Sequence, residues 1–170
     1  MTQLPGHLRF ASQGDWDALL QILRSDSSVA SDVRQLSRWL HDLAAFPASA
    51  PVLQKLIELG ADLNYHAYGG GTVLANAIVG GSLRGLTTLP ELRLLLQSGA
   101  DVSKYADAGY PPLHWAIVQN RLEHARLLLQ AGSDPEQTSA DGETALDVAK
   151  RNRNASAIEM LEAHRQLQSS

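Results

Sequence analysis

Six histidines carry the most versatile chemistry in this chain of 170 residues, and their spacing decides what they could do. His7, His41, His66, His114, His124 and His164 form no His-Glu-x-x-His pair, and no cysteine is present to complete a zinc ligand set. His114 and His124 fall on different helices, so His114 reads as a hydrogen-bonding residue at a helix start rather than a ligand or base. His7, His41 and His164 read as solvent-facing. The run Tyr68-Gly69-Gly70-Gly71-Thr72 puts glycine amides ahead of a helix, as phosphate-cradling loops do, but it lacks the lysine and the spacing of a P-loop. A hairpin tip uses glycine in the same way, through its access to positive φ. Asn154-Ala155-Ser156 is a glycosylation sequon in form only, since it falls in an expected helix. There is no Gly-x-Ser-x-Gly elbow, and no carboxylate pair stands apart from ordinary surface acids. The chain is therefore expected to have no catalytic residues, no metal and no cofactor.

The elements that would position these residues come from a repeat. Leu94-Leu95-Leu96-Gln97-Ser98-Gly99-Ala100-Asp101 recurs as Leu127-Leu128-Leu129-Gln130-Ala131-Gly132-Ser133-Asp134, a shift of 33, and more faintly as Leu56-Ile57-Glu58-Leu59-Gly60-Ala61-Asp62. A second phrase recurs as Gly71-Thr72-Val73-Leu74, Tyr110-Pro111-Pro112-Leu113-His114 and Glu143-Thr144-Ala145-Leu146. A period of this length signals a stacked solenoid whose units bury their apolar faces only against neighbours. In the clearest unit Pro112 opens a short helix through Leu113, Ala116 and Ile117. A second helix over 122–130 carries Leu122, Ala125, Leu128 and Leu129 on one stripe. Gly132 is the expected left-handed cap, and Asp134 the residue that bonds its own backbone in the turn beyond it.

Bulk composition narrows the function classes. With 44% hydrophobic and 19% charged residues the chain reads as globular, and a formal charge of -4 argues against a nucleic-acid partner, which needs a basic stripe. No run of about 18 apolar residues spans a bilayer, and Met1 to His7 lack the features of a secretory signal, so no membrane partner and a cytoplasmic location are expected. The excess of arginine over lysine, with abundant Ala and Leu, points to a GC-rich bacterial genome.

These phrases resemble the ankyrin repeat, with its Gly-x-Thr-Pro-Leu-His-x-Ala opening, paired leucines in a second helix and Gly-Ala-Asp-x-Asn close. The resemblance implies an all-α ankyrin-repeat solenoid of about five helix-turn-helix units linked by extended hairpin loops, forming a single domain over 1–170. Within it, 1–60 would hold two degenerate repeats, with helices through Leu19 to Leu23, Val33 to Leu43 and Val52 to Leu59. A repeat with an insertion at 80–90 would occupy 61–99, the best-matching repeat 100–132, and a C-terminal capping repeat 133–170, its last helix amphipathic through Ile158, Leu161 and Leu167. The insertion reads either as a tolerated loop or as a second contact element. The family's Thr and His, which tie neighbouring repeats by hydrogen bonds, never occur together: Pro111 stands for Thr before His114, Ala75 for His after Thr72, and Asp147 for His after Thr144. A thin polar network with stability from leucine packing is expected. His124 occupies a position that is aliphatic in the family, and reads as a satisfied, semi-buried imidazole.

By the same resemblance, partners are gripped by hairpin tips and the exposed side of each first helix. Carried over position by position, the binding residues are Tyr65, His66, Tyr68, Tyr105, Asp107, Tyr110, Trp115, Gln119, Asp141, Glu143 and Arg151. All four tyrosines of the chain fall among them, and tyrosine gives a large amphipathic contact at low entropic cost. Trp16 and Trp39 fall on helical stripes and read as core. The function that follows is binding of another protein, with a toxin-neutralising immunity role as the leading form, and an adaptor or regulatory subunit, or a host-directed effector, as alternatives. A homodimer through the same tyrosines is a further possibility.

Overall fold

The computed structural model describes residues 6–25, 31–67, 71–80, 88–106 and 109–168, and in them ten α-helices and no extended strands. In chain order they are α1 (Gly6–Gln13), α2 (Trp16–Ser25), α3 (Val33–Leu43), α4 (Ala50–Glu58), α5 (Val73–Val79), α6 (Leu89–Gln97), α7 (Pro112–Val118), α8 (Leu122–Gln130), α9 (Ala145–Arg151) and α10 (Ala155–Gln168). Each odd-numbered helix packs on the even-numbered helix that follows it. Along the stack α1, α3, α5, α7 and α9 form one row, and α2, α4, α6, α8 and α10 the other. This is the all-α ankyrin-type solenoid of five helix pairs, built because no pair can bury its apolar stripe alone. The leucines of those stripes, among them Leu36, Leu40, Leu53, Leu56, Leu92, Leu95, Leu113 and Leu128, are fully buried.

Local chemistry sets the ends of the elements. Gly132 has φ 93°, and the amide of Ser133 reaches back to the Leu128 carbonyl at 3.0 Å, closing α8 in a left-handed cap. The Asp134 carboxylate then accepts the Glu136 amide at 2.9 Å, as Asp62 does from Asn64 at 2.8 Å and Asp101 from Ser103 at 2.9 Å. Thr144 and Asp147 form a reciprocal capping box at the start of α9, and Thr72 caps α5 through the Ala75 amide. Short antiparallel bridges, His66 with Thr72 and Thr138 with Thr144, hold the hairpins that lead into α5 and α9. Nine residues, 80–88, separate α5 from α6, against three, 119–121, between α7 and α8. Most of the expected insertion, 81–87, lies outside the described residues.

The ties between units differ from the thin network expected. His114 Nε2 meets the Glu143 carbonyl oxygen at 2.9 Å, and four other contacts substitute for the missing Thr–His pairs. The Asp62 amide donates to Ser37 Oγ at 2.8 Å, the Asp101 amide to Asn64 Oδ1 at 2.9 Å, Gln137 Nε2 to the Ser103 carbonyl at 2.9 Å, and Asn154 Nδ2 to Asn120 Oδ1 at 2.8 Å. His7 and His41 are buried rather than solvent-facing. His7 Nε2 lies 2.9 Å from one Asp42 oxygen and His41 Nδ1 3.1 Å from the other, so each ring satisfies its polarity inside the stack. Asn76 Nδ2 donates to the His41 carbonyl at 3.0 Å, extending this polar chain from α1 through α3 to α5. Despite its burial, the histidine hydrogen bonds hold the Asp42 carboxyl well below the usual carboxylate range. Two apolar stripe positions are also corrected: Val33 is 50% exposed and Leu167 79% exposed.

Glu91 is a feature that the repeat pattern does not reveal. It is fully buried on α6, and its Oε1 accepts the Ala50 amide at 3.3 Å at the start of α4 in the preceding unit. Burial pushes its pKa up, and Oε2 has no partner among the described residues. Glu91→Ala is expected to cost about 1–3 kcal/mol in urea unfolding, because the α4 amide loses its acceptor. Glu91→Gln keeps an acceptor without the buried charge, and should equal or exceed the parent at neutral pH. A parent-like Glu91→Ala would dismiss the cap.

Candidate protein-binding surface

The hairpins and first-row helices place the expected contact residues in two groups. The larger group surrounds α7 and α9. Tyr110 packs edge-on to Trp115 with ring centroids 5.9 Å apart and lies 6.1 Å from His114. Arg151, the last residue of α9, pairs with Glu143 at 2.6 Å, and the neighbouring Tyr110 and Glu143 push its pKa up. Tyr105 is 44% exposed, and its hydroxyl donates to the Thr138 carbonyl of the next hairpin at 2.8 Å. Gln119 and Asp141 are exposed beside them, at the end of α7 and on the hairpin before α9.

These contacts restrict motion. Tyr105 is fixed at its hydroxyl and Tyr110 is packed against Trp115, so both rings are held in place before any partner arrives. Trp115 is half-buried, and its indole N–H is buried without an acceptor among the described residues. The Ala140 amide donates to the Gly109 carbonyl at 2.9 Å, tying adjacent hairpins. Gly109 has φ 68°, and a side chain there would run into the Ala140 methyl, so this approach of two backbones requires glycine.

Tyr65 stands apart from that group. It is half-buried, with its ring 6.2 Å from His41 of α3 in an edge-on contact. His66 is exposed within its bridge to Thr72. Tyr68 and Asp107 lie outside the described residues. Hence, of the tyrosines described, Tyr105 alone is exposed, while Tyr65 and Tyr110 are half-buried against neighbouring rings. Trp16 and Trp39 pack against the core, Trp16 edge-on to Phe46 and Trp39 stacked on His7 at 5.0 Å.

The first-row helices add two apolar residues at positions that the same family mapping assigns to the contact face. Val79 ends α5 and Val118 ends α7, exposed by 39% and 37% at equivalent positions of successive units. Their repeat along the chain was the available signal. Around Tyr65, Arg34, Arg38 and Trp39 of α3 line a groove of about 510 Å³ with Gly6, His7, Asp32 and Gln35. An arginine pair at i and i+4 beside a tryptophan was legible there too. Among the described residues no group of three or more His, Asp or Glu is placed to hold a metal ion, and no helix is long and apolar enough to cross a membrane.

Comparison with known proteins accords with this architecture. A family model of ankyrin repeats in three copies matches residues 40–139 and 92–168. The chain belongs to the ankyrin-repeat family, and its coarse function is that of a protein-interaction module. Over 98 residues, 58% of the chain, it is 37% identical to the human BCL-6 corepressor-like protein 1, of which this is 5%. Over 84 residues, 49% of the chain, it is 38% identical to mouse protein phosphatase 1 regulatory subunit 12A, of which this is 8%. Over 66 residues, 39% of the chain, it is 38% identical to a Caenorhabditis elegans ankyrin repeat and LEM domain-containing protein 1 homolog, of which this is 9%. The chain thus spans less than a tenth of the length of each of these relatives.

Proposed function

We propose that this chain binds one protein partner stoichiometrically across the hairpins and first-row helices, through Tyr65, His66, Tyr68, Tyr105, Asp107, Tyr110, Trp115, Gln119, Asp141, Glu143 and Arg151, joined by Val79 and Val118. The observation that carries the reading is exposure of apolar side chains at matching places. Val79 and Val118 are exposed at the ends of α5 and α7 in successive units, Tyr105 is exposed on the hairpin that leads into α7, and such exposure favours burial by a partner. Because the surrounding rings are already held, binding needs little rearrangement. Of the finer roles, an immunity protein occluding a toxin's active site draws support from the chain's charge of -4 and from exposed Asp141, which suit a basic surface. The adaptor or regulatory-subunit role draws support from relatives named as a corepressor-like protein and a phosphatase regulatory subunit.

Affinity purification of the tagged chain from its native cells separates the two roles, by recovering a toxin or a larger complex. With that partner in hand, Tyr105→Ala combined with Val118→Asp is expected to weaken binding about tenfold or more in calorimetry, with circular dichroism unchanged. Undiminished affinity in that double variant would remove this surface from consideration.

A further inference from the structure

We infer that the groove beside α3 takes an extended acidic segment of a partner, with carboxylates at alternate positions engaging Arg34 and Arg38 while an apolar side chain two positions further along, on the same side, rests against Trp39 and Tyr65. The inference deepens the protein-binding reading and rests on it, since Tyr65 belongs to the same surface. Arg34 and Arg38 lie four residues apart on α3, so their side chains leave one face about 5–6 Å apart. Alternate residues of an extended peptide project on one side at nearly the same interval, roughly 6.5 Å, so one carboxylate can meet each guanidinium. Arginine suits this role because its planar fork accepts a carboxylate at two points.

The charges in the groove are available. Arg34 has no ion-pair partner among the described residues, although it sits in the first turn of α3, where the helix dipole disfavours a cation. Arg38 is 63% exposed and reaches Asp42 only at 4.0 Å, a contact worth little in water and easily exchanged. The acids nearby are engaged elsewhere: Asp32 caps α3 through the Gln35 amide at 3.1 Å, and Asp42 holds His7 and His41. The apolar wall is rigid, because Trp39 is stacked on His7 and Tyr65 rests on His41. A chain of net charge -4 therefore presents a local cation pair against aromatic rings, and this complements an acidic ligand rather than a basic one.

The test is fluorescence anisotropy of the whole chain with a labelled short peptide carrying two glutamates at alternate positions and a leucine two residues further on, and with its glutamine counterpart. The acidic peptide is expected to bind, and to weaken as salt is raised. The glutamine peptide is expected not to bind. Arg34→Glu with Arg38→Glu should weaken the acidic peptide about tenfold or more, and Arg34→Gln with Arg38→Gln to a lesser degree. Both pairs are exposed, so their circular dichroism should match the parent. Arg126→Glu, a change on second-row helix α8, should leave binding unaltered. Failure of the acidic peptide to bind the parent, equal binding of the glutamine peptide, or undiminished binding by the charge-reversed chain would each overturn the inference. None of these results bears on Tyr105 and Val118, so the wider reading stands or falls separately.

Discussion

Gly80→Ala is expected to lower stability by about 2–3 kcal/mol, although it adds only a methyl group at a helix end. An added Cβ at Gly80 would overlap the backbone of Ala45, including its carbonyl, which follows α3 in the preceding unit. Backbone cannot swing aside as a flexible side chain can, so the ends of α3 and α5 must part. That displacement also loads two bonds: the Gly80 carbonyl accepts Arg121 Nη2 at 2.9 Å, and Thr88, whose hydroxyl donates to the Ala77 carbonyl, lies 3.5 Å from the same Gly80 oxygen. Gly6→Ala is the matched control, because nothing lies within 4 Å of an added Cβ there and its φ is unexceptional. Urea unfolding should show Gly80→Ala shifted to a lower midpoint and Gly6→Ala unmoved. Coincident curves for all three proteins would mean that α5 does not end against Ala45.

Acidification is expected to destabilise the stack by about 3 kcal/mol between neutral pH and pH 4 through His124. Burial, aided by the charge of Arg121, pushes the His124 pKa down to about 4 from the ordinary 6.5. Its Nε2 lies 3.3 Å from Thr88 Oγ1, whose own proton goes to the Ala77 carbonyl, so the neutral ring with the proton on Nε2 fits this pocket. Between pH 6.5 and about 4 the unfolded chain binds the proton that the folded chain refuses, and stability therefore falls as pH falls. His114, also lowered by burial, acts in the same direction. Glu91, whose pKa is raised, acts oppositely: the folded chain takes up its proton first, which offsets part of the loss as pH approaches 4.5. In His124→Leu the difference between unfolding curves at pH 7.5 and pH 5 should shrink markedly. A His124 ring signal titrating near 6.5 in the folded chain would contradict this account.

Much of the fold is legible along the chain because its causes are local. The 33-residue recurrence marks the unit, the leucine spacing of α8 marks its buried face, and Pro112, Gly132 and Asp134 mark its ends through properties of single residues. These signals depend on neighbours three to five positions away. The expected surface residues follow from the same register, and Gln119 and Asp141 among them are exposed. Val33 and Leu167 differ from expectation because spacing states which face of a helix is apolar, but not how much of that face its neighbours cover.

What the sequence by itself determined is the repeating helix pair, its caps and its preferred side. Only the tertiary structure decided which residues meet between units: His7 with Asp42, Glu91 with the start of α4, Gly80 with Ala45, and Tyr105 with Thr138. Each of these contacts joins residues more than thirty positions apart, and each depends on how far one unit turns and shifts against the next. That turn is set jointly by all the side chains at the interface, so no single residue type or spacing announces it. The same geometry separated Tyr65 from Tyr105 and Tyr110, and set two arginines beside an aromatic wall.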